Sequence, residues 1–219
     1  MKPEILKTSD GSDTLYIPEL NENYHSINGA IQESMHVFIN CGLNSLNKEE
    51  IKIFEIGFGT GLNVLLTFVD AQKKNLSITY HSIEKFPLDI KLGLKLNYTE
   101  ILGKKYKSLF DTLHSGKWNT DLELSKSFLF KKIQADFTEY TFQTNYDLIY
   151  FDAFGPDVQP EIWSERNFIK IRNALNPLGI LTTYSSKSTV RKAMQSAGFT
   201  VEKLPGPPGK REIIRASVL

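Results

Sequence analysis

The stretch FEIGFGTGLNVLL, residues 54–66, decides how this sequence folds. An apolar run reaches the acidic residue Glu55, and a helical pattern begins a few residues later. Three glycines at alternate positions lie between the two: Gly57, Gly59 and Gly61. Glycine adopts positive φ and lets a ligand approach the backbone without a Cβ in the way. A strand-to-helix turn that binds nothing needs only one such glycine, so three of them indicate a ligand site.

The chain on either side of this stretch alternates between strands and helices. Five apolar runs rich in β-branched and aromatic residues predict buried strands: 51–57, 76–85, 128–136, 146–154 and 179–186. Four helical patterns lie between or after them: 62–74, 86–96, 160–175 and 188–198. This alternation predicts an α/β fold in which a mostly parallel sheet is covered on both faces.

Two further runs complete the predicted sheet. Residues 199–204 and 211–219 are strand-like and flank PGPPGK, with no helix between them. Because a short connection joins antiparallel strands, we expect a seven-stranded sheet whose last strand is antiparallel. The region 98–126 has mixed polarity, and we expect it to form helices and loops that cover one face. Residues 1–45 predict a small N-terminal extension of short strands and a helix that packs on a main domain, 46–219.

The composition is that of an ordinary globular protein. Of the 219 residues, 41% are hydrophobic and 23% are charged, and the net charge at pH 7 is +1, which advertises neither nucleic-acid nor membrane binding. The single cysteine excludes an internal disulfide framework and a multi-cysteine zinc site, so we expect no metal and a cytoplasmic location. No apolar run approaches the roughly 18 residues of a membrane span.

Acidic residues at the ends of four predicted strands narrow the choice of ligand: Glu55, Glu84, Asp136 and Asp152. An open parallel sheet binds ligands at the C-terminal ends of its strands. The glycine spacing is G-x-G-x-G, not the G-x-G-x-x-G of dinucleotide folds. Glu55 would repel a pyrophosphate, whereas it would attract the ammonium and sulfonium of S-adenosylmethionine. Glu84 suits both ribose hydroxyls, although NAD folds place an acid there too.

Asp136 and Phe137 predict an adenine site. The carboxylate would accept a hydrogen bond from the exocyclic amine while the ring packs near the base. The alternative for Asp136 is a helix cap for the residues that follow it. With Asn63 and Lys85 added to the predicted cofactor site, the glycines and acids favour a class I S-adenosylmethionine-dependent, Rossmann-like methyltransferase fold over an NAD-dependent enzyme.

The loop after the fourth predicted strand indicates what accepts the methyl group. Asp152 is followed by Phe154 and Pro156, which resembles the acid, aromatic and proline loop of amine N-methyltransferases. An amine must be neutral to attack a methyl sulfonium, so we expect Asp152 to accept its proton or orient it, and Phe154 to exclude water. The alternative is that Asp152 caps the next helix, a role for which Asp157, before Pro160, is better placed.

Five stretches together resemble the methyltransferase domain of the tRNA 5-methylaminomethyl-2-thiouridine biosynthesis protein family. They are EIGFGTGLN, IEKFP, DAFGPDVQPEIWSE, NPLGILTTYSS and VRKAMQSAGFTVEKLPGPPGKREIIRA, so the resemblance covers nearly the whole chain. It implies methyl transfer from S-adenosylmethionine to the aminomethyl nitrogen on carbon five of the wobble uridine, in the anticodon stem-loop of tRNA. Bifunctional members also carry an FAD-dependent oxidase domain. We expect the stand-alone form here, with an upstream tRNA-modifying or oxidase enzyme that supplies the aminomethyl substrate.

A tRNA acceptor predicts contacts to phosphates and to an unstacked base. We expect four cationic side chains to contact phosphates: Lys187, Arg191, Lys210 and Arg211. The alternative is that these side chains lie on a solvent-exposed face and bind nothing. We expect three aromatic residues to contact the base: Phe154, Trp163 and Tyr184. For Trp163, a place in the hydrophobic core is an equally consistent alternative. Two other functions fit the same sequence, an amine methyltransferase of a small molecule or protein and a non-catalytic S-adenosylmethionine-binding module.

Overall fold

A small N-terminal sheet precedes the main body of the protein. The computed structural model describes residues 3–218; Met1, Lys2 and Leu219, which ends the predicted strand 211–219, lie outside the described residues. The three N-terminal strands pair antiparallel: β1 (Glu4–Lys7), β2 (Asp13–Ile17) and β3 (Glu22–Asn23).

Asp13 attaches this sheet to the main body. Its carboxylate accepts a hydrogen bond from the backbone N–H of Asn97 at 2.9 Å, and the side-chain carbonyl of Asn97 accepts one from the backbone N–H of Asp13 at 2.8 Å. Leu15 of β2 belongs to the same hydrophobic core as the main sheet. The N-terminal extension therefore packs directly against the main body and shares its hydrophobic core.

Eight strands form the main sheet of the described chain. In sequence order they are β4 (Glu50–Ile56), β5 (Ser77–Glu84), β6 (Asp121–Ser125), β7 (Phe128–Gln134), β8 (Tyr146–Phe151), β9 (Leu175–Thr183), β10 (Thr200–Pro205) and β11 (Glu212–Ser217). Their spatial order is β10-β11-β9-β8-β4-β5-β7-β6. The pairs between β9 and β7 are parallel, while β11 runs antiparallel to both β9 and β10. The predicted α/β fold with an antiparallel last strand is confirmed.

The predicted count of seven strands was one too few. The additional strand is β6, which lies in the region expected to hold only helices and loops, and which forms an antiparallel hairpin with β7. None of its five residues is fully buried, because it is the edge strand. An exposed edge strand with a register shift between Glu123 and Ser125 gives little hydrophobic signal in the sequence.

Seven α-helices are present within residues 3–218: α1 (Ala30–Ser34), α2 (Leu62–Lys74), α3 (Ile90–Gly93), α4 (Tyr98–Leu102), α5 (Lys107–Ser115), α6 (Glu165–Asn173) and α7 (Ser188–Ser196). The helix predicted within the N-terminal extension, from the amphipathic pattern of residues 30–43, begins as α1 and continues as a π-helical turn, Met35–Asn40. The helix predicted from 160 starts at Glu165, because residues 160–164 form turns in which the N–H groups of Ile162 and Trp163 bond to the carbonyls of Gln159 and Pro160. No helix in the described range combines the length and the apolarity that a bilayer crossing requires.

The sheet separates two hydrophobic clusters, one on each face. Every residue of β8 is buried, as expected for a central parallel strand between β4 and β9. The glycine-rich stretch then joins β4 to α2. Gly61 is in the left-handed region with φ 72° immediately before α2, and Asn75 ends that helix with φ 56°. Residues 54–66 therefore form the end of a strand, a tight turn and the start of a helix.

Gly57→Ala is expected to destabilise the fold strongly. Gly57 has φ +98°, and a Cβ built there would lie 2.5 Å from the carbonyl oxygen of Asp152. The variant combines backbone strain with a clash against main chain, and we expect a loss of about 3 kcal/mol in the free energy of unfolding, measured by urea titration. Gly11→Ala is the matched control, since Gly11 has φ +83° with nothing within 4 Å of the added Cβ. That control should lose only about 1 kcal/mol; equal losses would show that the contact with Asp152 is unimportant.

Candidate active site

A cavity of about 590 Å³ opens where β4, β5, β7 and β8 end. This is the carboxyl edge of the parallel strands, and β4 lies between β5 and β8, where the order of the strands reverses. The sequence-predicted residues that line it are Gly57, Gly59, Asn63, Glu84, Lys85, Asp136, Phe137, Asp152, Phe154, Tyr184 and Lys210. The other predicted residues do not line it: Glu55, Gly61, Pro156, Trp163, Lys187, Arg191 and Arg211.

Glu84 lies at the end of β5 beside the glycine loop. One oxygen of its carboxylate accepts a hydrogen bond from the N–H of Gly59 at 3.2 Å and the other accepts one from the N–H of Phe86 at 2.9 Å. Burial raises the pKa of Glu84, and these backbone hydrogen bonds oppose the rise. The carboxylate is thus fixed at the cavity wall with lone pairs left for hydroxyl donors of a ligand.

Asp136 caps the turn that follows β7 and also lines the cavity. Its Oδ1 accepts hydrogen bonds from the N–H of Thr138 at 2.8 Å and from the Thr138 hydroxyl at 2.7 Å, which is a local cap. Its Oδ2 lies 2.7 Å from Nζ of Lys85, and both residues line the cavity. The hydrogen bonds from Lys85 and Thr138 lower the pKa of Asp136 to about 2. Phe137 beside it is buried and contributes a ring to the same wall.

Glu55 is fully buried in β4 and reaches the cavity only through Asn63. Its carboxylate accepts hydrogen bonds from the Ser82 hydroxyl at 2.6 Å and from Nδ2 of Asn63 at 2.9 Å. The same Nδ2 donates to Oδ2 of Asp152 at 2.8 Å. Burial raises the pKa of Glu55 to about 8, against the hydrogen bonds from Ser82 and Asn63. The contact predicted between Glu55 and a cationic ligand is replaced by this indirect connection.

The three glycines of the loop serve different purposes. Gly57 is required by the close approach of the Asp152 carbonyl. Gly59 lies under Tyr24, because a Cβ there would come within 3.1 Å of the tyrosine ring. Gly61 does not face the cavity, since a Cβ there would lie 3.1 Å from the ring of Phe58. The expectation that all three expose backbone to a ligand was wrong for Gly61.

Three aromatic side chains line the cavity together with Asp152 and form an aromatic pocket: Tyr24, Phe154 and Tyr184. Tyr24 packs edge-on against Phe154 with ring centroids 5.0 Å apart, and the Tyr184 hydroxyl donates to the carbonyl of Ala153 at 2.8 Å. Burial raises the pKa of Asp152 well above its usual range, and the Glu55 carboxyl group adds to the effect. The carboxyl group of Asp152 thus lines the same cavity as this aromatic pocket.

Trp163 supports this pocket from behind. Its ring is 4% exposed and lies 4.5 Å from the ring of Phe151, and its Nε1 donates to the carbonyl of Phe154 at 2.8 Å. The indole therefore holds the loop that carries Phe154 and is covered by it. Of the two roles considered for Trp163, the structure supports the core role. Pro156, in the same loop, also lies outside the cavity lining.

The predicted basic rim is not an array of free cations. Lys210 lines the cavity, where its Nζ lies 2.5 Å from a carboxylate oxygen of Glu33 and 4.1 Å from the centre of the Tyr184 ring. Lys187 forms an ion pair with Asp157. Arg211 is exposed on the turn between β10 and β11, and Arg191 is half-buried on α7. Of the four predicted cations, Lys210 alone lines the cavity.

The N-terminal extension supplies residues of the site that the sequence had not singled out. Tyr24, His25 and Glu33 line the cavity. His25 Nε2 lies 2.8 Å from the hydroxyl of Thr60 in the glycine loop, and burial lowers the pKa of His25 to about 4, so its ring is neutral at pH 7. These three residues lie outside the five stretches that carry the family resemblance.

The buried carboxyl group of Glu55 is expected to make the stability of the fold depend on pH. A folded-state pKa of about 8, above the ordinary value of 4.5, means that ionising Glu55 weakens the fold as pH rises through that window. We therefore expect Glu55→Gln to gain stability relative to the wild type between pH 5 and pH 8.5, measured by urea unfolding at both pH values. Glu100→Gln, at an exposed position, controls for the loss of one charge. A constant difference between Glu55→Gln and wild type across that range would exclude titration of Glu55.

Comparison with known proteins identifies the fold and the chemistry. A family model described as S-adenosyl-L-methionine-dependent methyltransferase matches residues 91–218. The chain is 32% identical over 208 residues to the tRNA 5-methylaminomethyl-2-thiouridine biosynthesis bifunctional protein MnmC of Campylobacter hominis, covering 90% of the chain and 30% of that protein. It is 29% identical over 228 residues to the protein of the same name from Leptospira borgpetersenii, with coverages of 97% and 33%.

The chain thus spans 30% to 33% of the length of these relatives. Among solved structures, MnmC2 from Aquifex aeolicus superposes with a TM-score of 0.82 at 25% identity, covering 100% of this chain and 70% of that one. Spermidine synthase from Thermotoga maritima, at 15% identity and a TM-score of 0.54, shares the fold alone. The chain belongs to the S-adenosyl-L-methionine-dependent methyltransferases, and S-adenosylmethionine is its cofactor.

Proposed function

We propose that this enzyme methylates the aminomethyl nitrogen of 5-aminomethyl-2-thiouridine at the wobble position of tRNA. The observation that carries the proposal is Asp152, which lies between the glycine loop and an aromatic pocket formed by Tyr24, Phe154 and Tyr184. The printed names of the relatives, which concern tRNA 5-methylaminomethyl-2-thiouridine biosynthesis, support the same substrate. The proposal includes a cytoplasmic location and an upstream enzyme that produces the aminomethyl group.

The residues of the cavity fit the cofactor. The volume of about 590 Å³ lies within the range of small-molecule sites. A side chain at Gly59 would fill the space under Tyr24, so the loop is kept open by the absence of a Cβ. In the proposal, Glu84 holds the ribose hydroxyls, Asp136 and Phe137 hold the adenine, and the glycine loop holds the amino-acid part. When bound, the cofactor supplies a methyl group on a positively charged sulfur.

The proposed role of Asp152 depends on the protonation state of the acceptor amine. An exposed alkyl amine is mostly protonated at neutral pH, and its lone pair is then unavailable. A buried pocket lowers the pKa of such an amine, whereas a nearby carboxylate raises it by stabilising the cation. Asp152 therefore promotes the reaction by geometry: it accepts one N–H of the amine and leaves the lone pair free to face the methyl group. Proton transfer to Asp152 completes the step.

The aromatic pocket suits an unstacked nucleobase. Tyr24, Phe154 and Tyr184 present rings around Asp152, and a base taken out of a tRNA loop is held by stacking on such rings. The pocket also excludes water from the reacting amine, which strengthens its interaction with Asp152. Lys210, at the wall beside Tyr184, is the cation that we propose to contact the nucleotide.

Asp152→Asn is expected to lower the rate of methyl transfer by about 10²- to 10⁴-fold and to leave cofactor affinity little changed. The substitution retains the shape of the side chain and loses its charge and its ability to accept a proton. The measurement is single-turnover methyl transfer to tRNA from a strain that lacks this modification, together with calorimetry of S-adenosylmethionine binding.

Two results would contradict the proposal in different ways. Near wild-type rates for Asp152→Asn at pH 7 would make Asp152 a structural residue. Transfer by the wild type to a small amine or to a protein, with none to the tRNA, would retain the enzyme class and reject the substrate.

A further inference from the structure

Asn63 has an unusual place between two buried acids. It is the second residue of α2 and is 2% exposed. Its single amide nitrogen donates one hydrogen bond to Oε1 of Glu55, at 2.9 Å, and one to Oδ2 of Asp152, at 2.8 Å. A primary amide has two N–H donors on one nitrogen, so both donors of Asn63 are committed to carboxyl groups. Asp152 keeps its other oxygen, Oδ1, for a ligand.

We propose that Asn63 is a positioning residue for the methyl-transfer reaction, which acts by holding Oδ2 of Asp152 and so directing Oδ1 towards the acceptor amine. The inference rests on the proposed function, although its first test below needs no substrate. The sequence predicts Asn63 in the cofactor site, whereas its hydrogen bonds connect it to Asp152, the residue proposed to face the acceptor. A hydrogen bond to one carboxylate oxygen restricts the rotation of the Asp152 side chain away from the amine.

The charged groups around Asp152 explain why a hydrogen bond from the Asn63 amide affects the ionisation of Asp152. Groups that titrate or carry charge face Asp152 from the neighbouring elements: Glu55, Glu33, Tyr80, Tyr98, Tyr184 and Lys210. Lys210 is the cation of this set, and it is already paired with Glu33. The hydrogen bond from Asn63 lowers the pKa of Asp152, against burial and the charge of Glu55. Without Asn63, the carboxyl groups of Glu55 and Asp152 would be neighbours with no hydrogen-bond donor between them, which would favour their protonated forms.

Ser82 offers a control for a merely structural role. Its hydroxyl donates to the other oxygen of Glu55 at 2.6 Å, and within the described chain it forms no hydrogen bond with Asp152. Removing either Asn63 or Ser82 leaves the buried Glu55 short of one hydrogen bond, so both variants should lose stability to a similar degree. Only removal of Asn63 also frees Asp152. The two variants therefore separate support of the core from positioning of Asp152.

The first test follows the ionisation of Asp152 directly in the ligand-free protein, by ¹³C NMR of its labelled carboxyl group. We expect Asn63→Ala to raise the titration midpoint of Asp152 and Ser82→Ala to leave it near the wild-type value. Asn63→Ser, which retains one hydroxyl donor and can serve only one carboxyl group, is the second variant and should give a smaller shift. Equal midpoints in Asn63→Ala and wild type would overturn the proposal, whatever the substrate proves to be.

The second test is a double-mutant cycle on methyl transfer to modification-deficient tRNA. Asn63→Ala alone should lower the rate by about 10²-fold and move the acid limb of the pH–rate profile to higher pH. In the Asp152→Asn background the same substitution should cost only a few-fold, because it acts through Asp152. Equal losses in both backgrounds would overturn the proposal. An inactive wild type would instead reject the tRNA substrate and leave the NMR result to decide the role of Asn63.

Discussion

The site depends on the approach of two backbones at the centre of the sheet. Gly57 leaves β4 with its N–H bonded to the carbonyl of Ile83 on β5, and Asp152 leaves β8 with its N–H bonded to the carbonyl of Ile56. Gly57 lies so close to the carbonyl of Asp152 that no Cβ fits between them. Main-chain contacts therefore fix the glycine loop relative to the loop that follows β8. The positions of the side chains on both loops are fixed by the same contacts.

The buried polar groups follow from this arrangement. Once the two loops meet, the acids at the strand ends lie at one edge of the sheet, and each accepts hydrogen bonds from neighbouring donors. Ser82 and Asn63 supply them to Glu55, backbone N–H groups supply them to Glu84, and Lys85 with Thr138 supply them to Asp136. Asp152 receives a single donor, from Asn63. Within residues 3–218 it therefore has fewer donors than the other three acids, which agrees with the proposal that it accepts a proton.

The sequence was informative where periodicity and chain direction determine position. The alternation of strands and helices, the bounds of α2 and the acids at the strand ends were all readable, because parallel strands bring their carboxyl ends to one edge. The edge strand β6 escaped prediction because its residues are partly exposed. The roles of Trp163, Lys187 and Glu55 depend on which neighbour fills the space beside each of them, and Tyr24, His25 and Glu33 reach the cavity from a separate sheet. Such contacts are set by tertiary packing, which local patterns do not encode.

One feature of the acceptor pocket bears on how the protein is made. Lys210 is paired with Glu33, and His36 contacts the carbonyl of Pro205 at 2.7 Å, so segments separated by more than 160 residues close one wall together. During synthesis the N-terminal strands and α1 leave the ribosome long before their partners exist. The sheet from β4 to β9 can assemble while this wall is still missing. This wall therefore closes only after residues 205–210 have been synthesised, and a chain cut short before Lys210 would keep Glu84 and Asp136 at the strand ends while Glu33 lacked its ion-pair partner.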